Sequence, residues 1–102
     1  MANLKELRAY TKKYKIRVIN AMTRLAENAF FIQKREKGYE KKSIQQIVLE
    51  ICSLTDGATM SAKKDALVNL GGFMATNEWD VYEEARNLVV VYEGLHTYGG
   101  LA

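Results

Sequence analysis

The stretch "DGATMSAKKDALVNLGG", residues 56–72, sets two lysines, Lys63 and Lys64, between short apolar runs, with a glycine pair closing the second. Lysines in a tight connection between strands ordinarily decorate a solvated hairpin tip. The apolar flanks suggest instead that one of the two points inward, where its amine becomes available for chemistry. Other reactive side chains are few. His96 is the only histidine, which removes histidine-rich metal sites and any two-histidine relay. In "GLHTYGG" it reads as a loop residue, and Tyr98 before Gly99-Gly100 fits a pocket edge or a packed turn equally well. Cys52 is the only cysteine, so neither an intramolecular disulfide nor a cysteine metal cluster can form, and a reducing, cytoplasmic setting fits best. It falls on an apolar helix face and reads as core. Taken alone, Arg24 reads as a surface residue of a first helical turn, and Ser61 and Asn69 as ordinary strand residues.

The elements that must carry these residues follow from spacing. Leu4, Leu7, Tyr10 and Tyr14 line one face of a first helix, with Asn3 as its cap and Glu6 completing a box-like start. "IRVINA" reads as a strand covered on both sides. A second helix is expected from about Thr23, as N-cap, to Lys37, with basic residues in its last turn before Gly38. Ser43 and Gln46 form a capping box ahead of Ile44, Ile47, Val48, Ile51 and Leu54, the apolar face of a third helix that ends at an Asp56-Gly57 turn. "GATMS" and "ALVNLGGFMAT" read as strands joined only by "AKKD" and therefore antiparallel, with Gly71-Gly72 marking a bulge or a close backbone approach. The last helix is expected from Asn77 to Glu93, closed by Gly94 and burying Val81, Ala85, Leu88, Val89 and Tyr92. The order α-β-α-α-β-β-α defines an α/β protein with helices on a small sheet. Three strands leave two open edges, so the sequence reads as the middle of something larger.

Composition narrows the function classes. The 102 residues suffice for one small domain, and 48% hydrophobic with 26% charged residues is ordinary for a globular chain. A net charge of +3 favours an anionic ligand but is far from a nucleic-acid-binding composition, despite the interleaved "KKYKIR". No apolar run approaches the roughly 20 residues that span a bilayer, and Lys5, Arg8, Lys12 and Lys13 interrupt any signal-peptide layout.

"TMSAKKDALVNLGGF" resembles the cofactor-lysine segment of the tryptophanase and tyrosine phenol-lyase family, the β-eliminating lyases that depend on pyridoxal 5'-phosphate (PLP). "ANLKELRAYTKKYKIRV", "TRLAENAFFIQKREKGYE" and "LVVVYEGLHTYGGLA" are similar to further segments of that family in the same order, so the resemblance covers essentially the whole chain. It implies an aspartate-aminotransferase-like (fold type I) architecture. Residues 1–102 would then form a single partial domain, the middle of the PLP-binding large domain.

The resemblance also implies roles. Lys64 would bond covalently to PLP, a primary amine being what condenses with the aldehyde and later serves as base. Lys63 would repel its charge and favour the neutral amine. Ser61 would help hold the cofactor phosphate, and Arg24 would lie near the cofactor on the strand-to-helix turn. Asn69 would lie near a monovalent-cation site, usually potassium, built from backbone carbonyls. The family reaction takes an aromatic amino acid to indole or phenol, pyruvate and ammonia, in a homo-oligomer whose neighbouring subunit completes the site. "TRLAENAF" and "HTYGG" lean to the tryptophanase side, and "LVNLGGF" and "LVVVYEG" to the phenol-lyase side. One departure stands out. Where the family ends its strand with an aspartate that pairs with the pyridine nitrogen, this sequence has Ala21, and Asn20 beside it faces the other side of the sheet. The glycine-rich phosphate cradle, the ring-stacking aromatic and the substrate-carboxylate domain also find no match here. The expectation is a chain inactive alone. The competing expectation is a non-catalytic remnant that only self-associates through its sheet edges.

Overall fold

A computed structural model describes residues 1–93. The elements are α1 (Ala2–Lys13), β1 (Ile19–Ala21), α2 (Leu25–Arg35), α3 (Ile44–Ser53), β2 (Gly57–Ser61), β3 (Gly72–Thr76) and α4 (Trp79–Glu93). The sheet runs β1-β2-β3. β1 and β2 are parallel, with Ile19 opposite Gly57 and Ala21 opposite Thr59. β2 and β3 are antiparallel, as expected, with Gly57 opposite Thr76 and Ser61 opposite Gly72.

Helix α1 starts at Ala2 with no side-chain cap, so Asn3 lies inside it and the expected cap is not made. Its covered side carries Leu4, Arg8 and Thr11, while Leu7, Tyr10 and Tyr14 stay exposed. The fork from Arg8 to Asp56, at 2.6 Å for each nitrogen, turns that side toward the sheet. The helix ends in a Schellman arrangement: Ile16 N–H reaches Thr11 O at 2.9 Å and Lys15 N–H reaches Lys12 O at 3.3 Å. Lys15 takes the left-handed position usually given to glycine, with φ 55°. This exit consumes residues 15 and 16, and Val18 is engaged by Asp56, so the strand shortens from the expected "IRVINA" to Ile19–Ala21. Nor is β1 covered on both sides, because Ile19 and Ala21 are exposed.

The core lies between α2 and α3. Ala29, Tyr39, Ile47 and Ile51 are buried there, with Leu4, Leu25, Ile32, Ile44 and Val48 packed around them. Ser43 and Gln46 make the expected capping box, each side chain accepting the other's backbone N–H. A charged cluster fastens the outer side: Tyr39 O–H donates to Glu50 at 2.8 Å, and Lys5 and Lys42 pair with the same carboxylate at 2.7 and 2.6 Å. Cys52 is only half-buried and lines an apolar groove of about 370 Å³ with Met22, Leu25, Val48, Met60 and Phe73, so it is not core.

The second apolar run is shorter as a strand than its composition suggests. β3 starts at Gly72, and residues 66–71 form a loop in which Leu67 is 90% exposed at φ 54°. The loop is closed by Leu67 N–H to Lys64 O, Val68 N–H to Ala62 O and Ala62 N–H to Gly71 O, and these bonds replace a ladder. The glycine pair therefore sits at the strand's start rather than within it. A Cβ at Gly72 would collide with the Met60 carbonyl, which is the expected close approach.

Helix α4 packs on β3 only through a narrow contact. Val81 and Ala85 are half-covered, but Leu88, Val89 and Tyr92 are exposed, Tyr92 to 78%, against the expectation that all five are buried. The described residues present no layer for that face. The dimensions agree: a slab of 46 × 35 × 15 Å, with a radius of gyration of 15.7 Å against about 13 Å for a compact chain of this length. Among the described residues, no helix is long and apolar enough to cross a membrane.

Candidate functional site

Parallel strands deliver their C-terminal ends to one edge of a sheet, and α/β proteins bind ligands in the crevice beyond that edge. β1 ends at Ala21 and continues through Met22 and Thr23 to Arg24 at the start of α2. β2 ends at Ser61 and continues into Ala62, Lys63, Lys64 and Asp65. The two exits meet. Arg24, Glu27, Lys63, Lys64, Asp65 and Leu67 line one open depression of about 550 Å³.

Hydrogen bonds fix how the exits meet. Ser61 N–H donates to Thr23 Oγ1 at 3.2 Å. Thr23 is thereby engaged with β2, and α2 starts later than expected, with Arg24 in the cap position and no side-chain cap there. Four residues beyond Ser61, the Asp65 carboxylate accepts N–H bonds from Ala26 at 2.7 Å and Glu27 at 3.3 Å. Arg24 pairs with Glu27 at 3.0 Å. Neither Lys63 nor Lys64 pairs with a carboxylate among the described residues.

Lys63, Lys64 and Arg24 therefore stand together, drawn from segments about 40 residues apart. Both lysines are exposed, which corrects the expectation that one points inward, because no described element covers the turn. Ser61, the last residue of β2, is not among the residues lining the depression and contributes its backbone to the clip on Thr23. Asn69 lies in the 66–71 loop, exposed and outside the depression. Among the described residues no cluster of three His, Cys, Asp or Glu side chains could hold a metal ion. His96 and Tyr98 lie outside the described residues.

The donor set fits one part of PLP better than the other. Two lysine side chains and a guanidinium suit a phosphorylated aldehyde: an amine for the carbonyl carbon and cations for the phosphate. The ring nitrogen finds no acid on β1, since the strand ends in Ala21. Asp65, the carboxylate that spacing alone did not single out, is already bonded to α2. Its signal was present in "AKKD", an acid next to two lysines, but the partner N–H groups lie 38 and 39 residues earlier.

Fold and site together define an α/β protein with a cationic lysine loop at the C-terminal ends of its parallel strands. Residues 1–100 match the beta-eliminating lyase family. The tyrosine phenol-lyase of Nostoc punctiforme is 58% identical over 102 residues, which is 100% of this chain and 22% of that protein. The tyrosine phenol-lyase of Fusobacterium nucleatum is 52% identical and a probable beta-eliminating lyase of Trichomonas vaginalis is 53% identical, each with the same coverage. The chain belongs to the beta-eliminating lyase family, whose members are PLP-dependent and of fold type I. It spans about 22% of the length of these relatives.

Proposed function

We propose that this chain is the middle of the PLP-binding large domain of a lyase that cleaves an aromatic amino acid. Tyrosine is the favoured substrate, with phenol, pyruvate and ammonia as products. The observation that carries the reading is the meeting of Lys63, Lys64 and Arg24 at the C-terminal ends of β1 and β2. The names of the relatives favour tyrosine over tryptophan.

When bound, PLP supplies an aldehyde carbon for an amine and a ring that withdraws electrons from the amino acid's α-carbon. Lys64 Nζ would be the amine that holds PLP through that carbon. As a free amine, Lys64 Nζ would be the base that takes the α-proton and holds it next to the reacting face. Lys63 and Arg24 would attract and orient the phosphate, with Ser61 at the end of β2 as a further donor. The Asn69 carbonyl is the proposed potassium ligand. Substrate carboxylate binding, exclusion of water and the approach of a second subunit belong to parts of a lyase beyond these residues. The second reading, a non-catalytic remnant that self-associates, is favoured by Ala21, which leaves the ring nitrogen without its acid.

Selective labelling tests the proposal. Limiting PLP followed by borohydride reduction and peptide mapping should mark Lys64 ahead of helix lysines such as Lys12 and Lys41, and Lys64→Arg should remove that preference. Labels spread evenly over the lysines, unchanged by the substitution, would overturn it.

A further inference from the structure

The first turn of α2 shows where the lysine loop is held. A helix begins with N–H groups that its own backbone cannot satisfy. Here Leu25 N–H reaches Met22 O at 3.1 Å and Asn28 N–H reaches Arg24 O at 3.0 Å. The two between them, Ala26 and Glu27, are satisfied by Asp65 alone. The local candidates are otherwise placed: Thr23 Oγ1 accepts from Ser61, and the Arg24 side chain carries no acceptor. The cap of α2 thus comes from another segment.

Its location matters because of what it brackets. The Ser61–Thr23 bond and the Asp65–α2 bonds fasten the β2 exit to the β1 exit on either side of Lys63 and Lys64. The loop beyond Asp65 closes on its own stem, through Leu67 to Lys64, Val68 to Ala62 and Ala62 to Gly71, with no backbone bond to α2. Without Asp65 the two lysines would be held to the Arg24 turn from their N-terminal side alone, by the Ser61–Thr23 bond and by Met22 N–H to Thr59 O at 2.8 Å. A carboxylate at a helix N-terminus is favoured by the helix dipole as well as by its hydrogen bonds. The same occupancy closes that N-terminus to a ligand phosphate, which leaves anion binding to Lys63, Arg24 and Ser61.

We infer that Asp65 is a positioning residue, a cap for α2 supplied from the lysine loop, which holds Lys64 in register with Arg24. It acts through the backbone of α2 and touches no reacting atom. The inference rests on the reading of Lys64 as the cofactor lysine only for its consequence, not for its geometry.

Two measurements on the same chain separate these. Amide exchange followed by NMR should be about five-fold faster at Ala26 and Glu27 in Asp65→Ala, the equilibrium equivalent of a typical cap, and faster at Leu67 as well. Asp65→Asn, which keeps an acceptor oxygen, should recover most of that protection. PLP trapping should then show the Lys64 share of label falling in Asp65→Ala and returning in Asp65→Asn. A merely destabilised chain would not show that recovery together with unchanged exchange in α3. If Asp65→Ala leaves exchange at Ala26 and Glu27 unchanged, or keeps the Lys64 preference, the positioning role is wrong whatever Lys64 does. If the unaltered chain labels its lysines evenly, the cofactor reading fails, and faster exchange at Ala26, Glu27 and Leu67 with recovery in Asp65→Asn still supports the cap.

Discussion

Replacing Asp56 by alanine should loosen both α1 and the lead into β1 from the turn between α3 and β2. Its carboxylate accepts both Arg8 nitrogens at 2.6 Å and Val18 N–H at 2.8 Å. Its backbone N–H donates to Val18 O at 2.8 Å, and its carbonyl accepts Asn77 N–H at 3.1 Å. The substitution spares the backbone bonds and removes the carboxylate. Arg8 can turn to water, so its half of the fork contributes little. Val18 N–H is half-buried and would lose its only acceptor, which costs about 1–2 kcal/mol, the lower part of the range for an unsatisfied buried donor. Thermal unfolding followed by circular dichroism should show the midpoint falling by about 4–8 °C per kcal/mol for a domain of this size. Asp56→Asn should lose less, because its amide oxygen can still accept from Val18. The bonds from Arg8, then that from Val18, hold the Asp56 carboxyl below the usual aspartate range. The unfolded chain therefore binds this proton more readily, and the stabilisation is present above the ordinary value of 3.8 and lost as pH falls below it. Asp56→Asn should flatten that part of the acid limb. An unchanged midpoint in Asp56→Ala, or an Arg8→Ala loss equal to it, would refute the assignment of the cost to Val18.

Four further outcomes are expected. Glu50 should titrate at about 2, held down by Lys42 first and then by Lys5 and Tyr39; its stabilisation is present above 4.5 and lost as pH falls through about 2, and Lys42→Ala should move the NMR titration upward. The chain by itself, given PLP, potassium and tyrosine, should release no pyruvate in a coupled assay; sustained turnover would contradict the roles assigned to segments beyond it. Alanine placed at the position matching Ala21 in a complete lyase should lower elimination by at least about ten-fold while the matching lysine still binds PLP, since an ion-paired hydrogen bond is worth on the order of 1.5–3 kcal/mol; near-normal turnover would remove the aspartate's role. Light scattering should show concentration-dependent association through the open edges of β1 and β3 and the bare face of α4, and a monomer at high concentration would count against it.

What was legible depended on how far away the deciding partner lies. The Ser43–Gln46 box spans three residues, and both of its bonds form. Thr23 looks like an equally good cap, yet its oxygen is taken by Ser61, 38 residues on, and the duty passes to Asp65. Periodicity found α1 and α4 but misjudged which of their apolar side chains are covered, because a stripe reports what could be buried and not what arrives to bury it. "ALVNLGG" reads as strand by composition, whereas Leu67 adopts φ 54°, a conformation no local pattern announces. The same holds for Lys15. The lysine pair and Arg24 lie in segments that carry the family resemblance, while the clips that bring those segments together are long-range and leave no local signal.

The parallel pairing of β1 with β2 has a kinetic side. Ile19 meets Gly57 across 38 positions, and everything between them is the α2–α3 hairpin. Closing that span loses chain entropy before any strand bond repays it, whereas Tyr39 and Glu50, 11 apart, can meet early. The helical hairpin should therefore nucleate folding, with β1 docking late. Substitutions in β1 should speed unfolding and leave the folding rate nearly unchanged. The lysine loop, held to α2 by bonds that need β1 in place, would be among the last parts of the chain to form.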